Sequence, residues 1–163
     1  MLDFLILDLP PGTGDIQLTL TQKIKMTGSI IVTTPQDIAL SDVRKGADMF
    51  RKVNTPVLGV IENMSGLLLS GRTNDPNSKI QINNEVIEID QDGNFNVSVD
   101  IFKKNGGQKE SKRLGVPLLG KIPLSKDIMS ATDSGIPIVV SDFNDNLKEI
   151  YFSLADQVSK MTA

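Results

Sequence analysis

Four short apolar runs, separated by amphipathic segments, restrict the fold of this chain more than any other feature. The runs are Phe4–Leu7 (FLIL), Ser29–Thr34 (SIIVTT), Pro56–Glu62 (PVLGVIE) and Pro117–Pro123 (PLLGKIP). Each is apolar at successive rather than alternate positions, which suits a strand covered on both faces. Between and after them, Asp15–Met26, Asp37–Val53, Gln108–Leu114, Lys126–Asp133 and Phe143–Met161 carry helical periodicity. Gly28, Gly115 and Gly135 stand just past three of these segments, where the left-handed turn that ends a helix favours glycine. The alternation predicts an α/β fold, a doubly wound and mostly parallel sheet with helices on both faces.

Residues 66–104 break that rhythm. They are polar, with period-two alternation at Ile80 and Ile82 and again at Phe95, Val97, Val99 and Ile101, and with Val86-x-x-Ile89 between. With turns at Asn83-Asn84 and Asp92-Gly93, this pattern predicts a small antiparallel β insertion, half exposed, within one domain portion spanning 1–163. The front of the chain is unusual in another way. A run fit for a buried strand begins after three residues, and no phosphate-binding loop follows it, so the chain is expected to begin in mid-domain.

Composition narrows the chemistry. The 163 residues include no cysteine and no histidine. That removes disulfides, thiolate nucleophiles, thiolate-held zinc or iron–sulfur centres, and imidazole as base or ligand. What remains is oxygen chemistry, which suits hard ions such as Mg²⁺ alongside substrate phosphates. A net charge of −3 and 4% aromatic residues provide neither the phosphate contacts nor the stacking platforms of a nucleic-acid binder. No run approaches the roughly 18 apolar residues of a membrane span, and no secretion signal is visible, so no membrane role and a cytoplasmic location are expected.

Ligands of open parallel sheets bind beyond the carboxyl ends of the strands, and the polar candidates fall there. Asp8 closes FLIL as the carboxylate of a Walker B pattern, which orients Mg²⁺; alone it also reads as a strand-ending turn residue. Pro10 and Pro11 stiffen the following turn, and Gly12 lets a backbone N–H approach an anionic oxygen. Thr13 is a candidate for capping or for touching phosphate, while Asp15 is read as the N-cap of the next helix. Asn63 follows the third run with an amide able to donate and accept, as a purine edge requires, or to make an ordinary turn. Glu62 is read as solvated rather than as a second metal-side carboxylate. Gly115–Ile122 mimics G-x-x-x-x-G-K but places Ile where the metal-binding hydroxyl belongs, so Lys121 is read as a surface lysine. Arg44, Lys45, Arg51 and Lys52 are read as a solvated helix face.

Three runs carry a family resemblance: DFLILDLPPGTGD, IIVTTPQDIALSDVRKGADMFRKVNTPVLGVIENMSG and KRLGVPLLGKIPLSKDIMSATDSGIPIVV. Together they cover about half the chain, and they resemble the C-terminal part of Mrp/ApbC-type iron–sulfur cluster carriers. Those are MinD/ParA-like P-loop ATPases with a deviant Walker A motif. The resemblance implies an incomplete P-loop NTPase fold that binds and hydrolyses ATP with Mg²⁺. It assigns Asp8 to the metal-side carboxylate and Pro10–Gly14 to a switch loop, with Gly12 near the γ-phosphate. Asn63 and the loop at Pro123 are assigned to adenine. It further implies a homodimer and transfer of a cluster to apoprotein clients. Three departures stand against it: no phosphate loop, no C-x-x-C pair after ENMS, and Ser125-Lys126 where the family shows Asp-Pro. Without the phosphate loop this chain alone is expected to be catalytically inactive, and without cysteine it cannot ligate a cluster. Two alternatives remain: a non-catalytic binding or dimerisation module, and a MinD/ParA-like positioning ATPase.

Overall fold

The elements follow in the order α1 (Asp15–Lys23), β1 (Ser29–Thr33), α2 (Asp37–Lys52), β2 (Val57–Arg72), β3 (Ile80–Ile82) and β4 (Glu85–Ile87). They continue with β5 (Asn94–Val99), α3 (Gly106–Leu114), β6 (Leu118–Leu124), α4 (Lys126–Asp133), a 3₁₀ turn (Ile138–Val140) and α5 (Asp145–Thr162). This computed structural model describes residues 2–10, 12, 14–82, 84–102, 104–142 and 145–162.

The long strand β2 organises the sheet. Its first half pairs in parallel with β1 on one edge, Val60 opposite Ile31, and with β6 on the other, Val60 opposite Leu118. Its second half pairs antiparallel with β5, from Leu67 opposite Val99 to Arg72 opposite Asn94. Leu67 also faces Leu124 of β6, so β5 lies on the same edge of β2 as β1, end to end with it. Between the halves, Met64 takes a left-handed φ of 54° and the register with β6 shifts between Asn63 and Leu67. This bulge lets one strand serve two ladders. β3 and β4 form a separate hairpin that turns at Asn84, and Gly93 turns the chain into β5.

Helices cover both faces. Ile31 and Val60 meet Ala47, Met49 and Phe50 of α2 and Leu114 of α3. On the opposite face Gly120 lies against Leu154 of α5, while Leu68 packs with Ala131, Ile138 and Leu147 from α4, the 3₁₀ turn and α5. An extra residue in β6, Leu119, fits between the pairs Val60–Leu118 and Ile61–Gly120, and Gln157 Nε2 donates to its carbonyl at 2.8 Å. The doubly wound, mostly parallel sheet with antiparallel strands is therefore present.

Several local expectations change. Phe4–Leu7 is not a strand: it joins no ladder, and Ile6 is 88% exposed. An apolar run becomes a sheet strand only beside a neighbour that takes up its N–H and C=O groups. Among the described residues β1 pairs with β2 alone, its other edge is open, and Val32 is 55% exposed. Among the described residues of this N-terminal stretch, Leu9 is the first that packs against the core. β2 continues well past Glu62 because β5 supplies it with a new neighbour. α1 ends at Lys23 rather than Met26, and α3 starts two residues before Gln108. The residue read as the start of the last helix, Phe143, lies outside the described residues.

Arg44, Lys45, Arg51 and Lys52 of α2 are all exposed, as a solvated helix face requires, and three of them also have partners. Glu110 of α3, 1% exposed, accepts from Arg113 Nε at 2.8 Å and Nη2 at 2.6 Å, and from Arg44 Nε at 3.4 Å. The hydrogen bond to Glu110 holds the Arg113 guanidinium above its ordinary pKa. Arg51 donates to the Leu114 carbonyl at 2.7 Å. Among the described residues Lys45 pairs with exposed Asp42.

Candidate functional site

Parallel pairing brings the carboxyl ends of β1, β2 and β6 to one edge. Thr33, Glu62 and Lys121 form a row across the three strands. One residue further, Asn63 lies opposite Ile122, which sets it beside Pro123. The two candidate adenine contacts thus come together although 60 residues apart in sequence. Asn63 Oδ1 accepts the Met64 N–H at 2.9 Å, an aid to the left-handed turn. Asn63 therefore also plays the turn role that its residue type allowed.

Glu62 contradicts its expected solvation. It is 1% exposed; Oε2 accepts the Gly107 N–H at 2.6 Å, and Oε1 lies 3.7 Å from Lys121 Nζ. Lys121 Nζ donates in turn to Asn105 Oδ1 at 2.9 Å. Lys121 is thus a surface lysine at a strand end, as expected, that also has two side-chain partners. Because β6 occupies Leu118–Leu124, Gly115–Ile122 forms no phosphate loop.

These contacts explain how α3 begins. Its N-cap, Asn105, sits at φ 64° and makes no side-chain cap bond. The orphan N–H of Gly107 is satisfied by Glu62 instead, and a carboxylate is favourable at that end of the helix dipole. Such an approach needs bare backbone: a Cβ on Gly106 would lie 2.8 Å from Pro35 Cα, and one on Gly107 2.7 Å from Glu62 Cβ. The first turn of α3 thereby lies against Pro35, just past the end of β1, and against Glu62 of β2. The Gly-Gly pair at a helix start was the available sequence signal; its partner across 45 residues was not.

At the neighbouring loop, Ser125 caps α4, its Oγ accepting the Asp127 N–H at 3.1 Å. A serine there performs the capping that an aspartate would.

Among the described residues the switch-like segment makes no hydrogen bond to that row. Asp8 is exposed and makes no hydrogen bond or ion pair among the described residues, and Gly12 takes φ +97°. The Pro10 carbonyl accepts from Gln17 Nε2 at 2.8 Å, fastening the segment to α1. Asp15 is not the N-cap but the first residue of α1, after Gly14. Pro11 and Thr13 lie outside the described residues. Among the described residues no hydrogen bond joins Asp8 or Gly12 to Asn63 or Pro123. Nor do they hold a cluster of three or more metal-ligating side chains. One exposed carboxylate fits a Mg²⁺ carried largely by phosphates and waters and does not fit an all-protein cage. No helix among the described residues is long and apolar enough to cross a membrane.

Comparison with known proteins places this geometry in a lineage. The model of the ParA family, described as NUBPL iron-transfer P-loop NTPase, matches residues 1–92 and 90–159. An iron–sulfur cluster carrier protein of Pseudomonas fragi is 44% identical over 154 residues, 94% of this chain and 46% of the relative. The chain spans less than half the length of the curated relatives it matches. A nucleotide-binding protein of Archaeoglobus fulgidus, solved in complex with ADP, superposes with TM-score 0.51 and 28% identity over 78% of this chain and 43% of that one. The cell-division ATPase MinD of Pyrococcus furiosus shares the fold at TM-score 0.53 and 19% identity, over 83% of this chain and 43% of its own. On these matches and on its doubly wound sheet, the chain belongs to the NUBPL-type iron-transfer P-loop NTPase family.

Proposed function

We propose that this chain is the C-terminal part of an ATP-driven iron–sulfur cluster carrier, contributing the metal side and the base side of its nucleotide site. One observation carries the reading: the strand-end row that sets Asn63 beside Pro123 at the sheet edge, in a chain of a P-loop family. Asn63 and the Pro123 loop bind adenine. Asp8 takes a place in the Mg²⁺ shell, and in the run Pro10-Pro11-Gly12-Thr13 the backbone N–H of Gly12 serves the γ-phosphate. When bound, Mg²⁺ neutralises charge on the transferring phosphoryl group. This chain's own contribution is positioning, which requires neither histidine nor cysteine.

The phosphate cradle comes from polypeptide outside these 163 residues, and the open edge of β1 with the exposed run Phe4–Leu7 is the surface such a segment would cover. The cluster is cargo for apoprotein clients. Its thiolate ligands come from outside these 163 residues, which include no cysteine. The working assembly is a homodimer of the full-length form. A second reading, a non-catalytic binding module, is favoured by the β insertion standing where the family's cysteine pair belongs. Nothing favours membrane positioning: α5 buries Leu147 and Leu154 against the core and carries Asp145, Glu149 and Asp156.

The test is complementation. The chain is co-expressed with the portion of the Pseudomonas fragi relative that it does not match, and Mg–ATP binding is followed by calorimetry. The chain alone should bind ATP weakly or not at all, and the complemented complex should bind and hydrolyse it. Asp8→Asn should lower kcat by about 100-fold or more. Full hydrolysis by the Asp8→Asn complex would sink the assignment, and tight ATP binding by the chain alone would sink the divided site.

A further inference from the structure

We infer that Glu62 is a positioning residue that couples the Asn63–Pro123 edge to the β insertion, an inference that rests on the nucleotide reading above. The insertion leaves the sheet edge and returns to it at one carboxylate. It departs along β2 immediately after Asn63, through the bulge at Met64. It returns through Asp100 and Lys104, an ion pair, to Asn105 and α3. The two oxygens of Glu62 hold the two sides of that return. Oε2 takes the Gly107 N–H, and Oε1 faces Lys121, whose ammonium also holds Asn105.

Lys121 stands two residues before Pro123 on β6, and Glu62 one residue before Asn63 on β2. A base entering between Asn63 and Pro123 acts on both strand ends, and those ends carry the carboxylate and the ammonium that fix Asn105–Gly107. No slack separates the parts, because Gly106 and Gly107 bring the α3 backbone into contact with Pro35 and Glu62. A plain helix cap would require only the Gly107 bond. The link through Lys121 to Asn105 ties the cap to the strand that bears Pro123.

The experiment uses the complemented complex, with Mg–ADP as the probe so that no turnover occurs. Affinity is read by calorimetry and amide hydrogen exchange of residues 94–107 by mass spectrometry. In the wild type, ADP should slow exchange across 94–107 by about tenfold, within the usual range of coupling between sites. In Glu62→Gln, an isosteric change, ADP should still bind within about threefold of wild type, but the slowing should disappear. Lys121→Met leaves the Gly107 cap in place and should lose the slowing as well, which separates coupling from mere capping and serves if Glu62→Gln folds poorly. ADP binding to the wild type without slowing at 94–107 overturns the inference, as does slowing that survives in both variants. Absence of ADP binding to the wild-type complex overturns the nucleotide reading, and the coupling with it.

Discussion

Replacing Gly46 and Gly107 by alanine, one at a time, should change stability in opposite directions, although both lie in helices. Gly46 sits inside α2 with nothing within 4 Å of the position its Cβ would take. Alanine there gains helix propensity without collision, about 0.5–1 kcal/mol. At Gly107 the new Cβ would stand 2.7 Å from Glu62 Cβ and 3.1 Å from its Oε2. Carbon atoms in contact prefer about 3.5–4.0 Å, so α3 or β2 must move by close to an ångström. Overpacking of this kind costs about 1–3 kcal/mol. The movement also lengthens the 2.6 Å bond from the Gly107 N–H to Glu62, and a hydrogen bond to an ionised acceptor contributes about 1.5–3 kcal/mol. Set against the propensity gain, the net loss should be about 1.5–5.5 kcal/mol. Urea unfolding followed by far-ultraviolet circular dichroism measures both variants, with an unchanged m-value required for the comparison. For a chain of this length each kcal/mol moves Tm by about 2–4 °C, so the two variants should be well separated in a thermal melt. A Gly107→Ala protein as stable as wild type would refute the close approach of α3 to β2, and with it the capping of α3 by Glu62.

The buried carboxylate of Glu110 supports a second contrast. Arg113→Met strips two hydrogen bonds from a group with no access to water and leaves only Arg44 beside it, so it should destabilise by about 2–3 kcal/mol. Glu110→Gln lets two partly exposed guanidiniums rehydrate and should cost only about 1 kcal/mol; urea midpoints in the reverse order would contradict this account of α2–α3 packing. The loop at Asp90 supplies a pH prediction. Its carboxylate accepts the Asn94 N–H at 2.8 Å and the Asp92 N–H at 2.9 Å, and the Asn94 bond, foremost, holds its pKa below the ordinary aspartate value. A depressed native pKa means stability that is fully present above the unfolded-state value and lost as pH falls through the native one. Asp90→Asn should flatten the acid limb of the stability profile, and an unaltered limb would show that the loop bonds do not favour the ionised form.

What the sequence disclosed follows from how far each cause reaches along the chain. The bounds of α4 could be read because both its signals are local: Ser125 caps it, and Gly135 past its end takes φ 69°. Turns at Asn84 and Gly93 were legible for the same reason, since a left-handed residue needs a particular side chain on the spot. Strand ends could also be placed, and parallel pairing then carries residues that follow different strands to one edge. That is why Asn63 and Pro123 were foreseeable as neighbours. Phe4–Leu7 misled because apolarity records what a run could bury, whereas a strand exists only if another strand completes its hydrogen bonds. Glu62 misled for the converse reason. A carboxylate after a strand is ordinarily solvated, and only the folded chain brings it the N–H of Gly107 and the ammonium of Lys121. Both errors concern partners distant in sequence, and they bear on function differently. The first leaves an edge that more polypeptide can complete. The second joins the edge already formed to the start of α3, through the Gly107 N–H and the Lys121 ammonium, contacts that no local pattern announces.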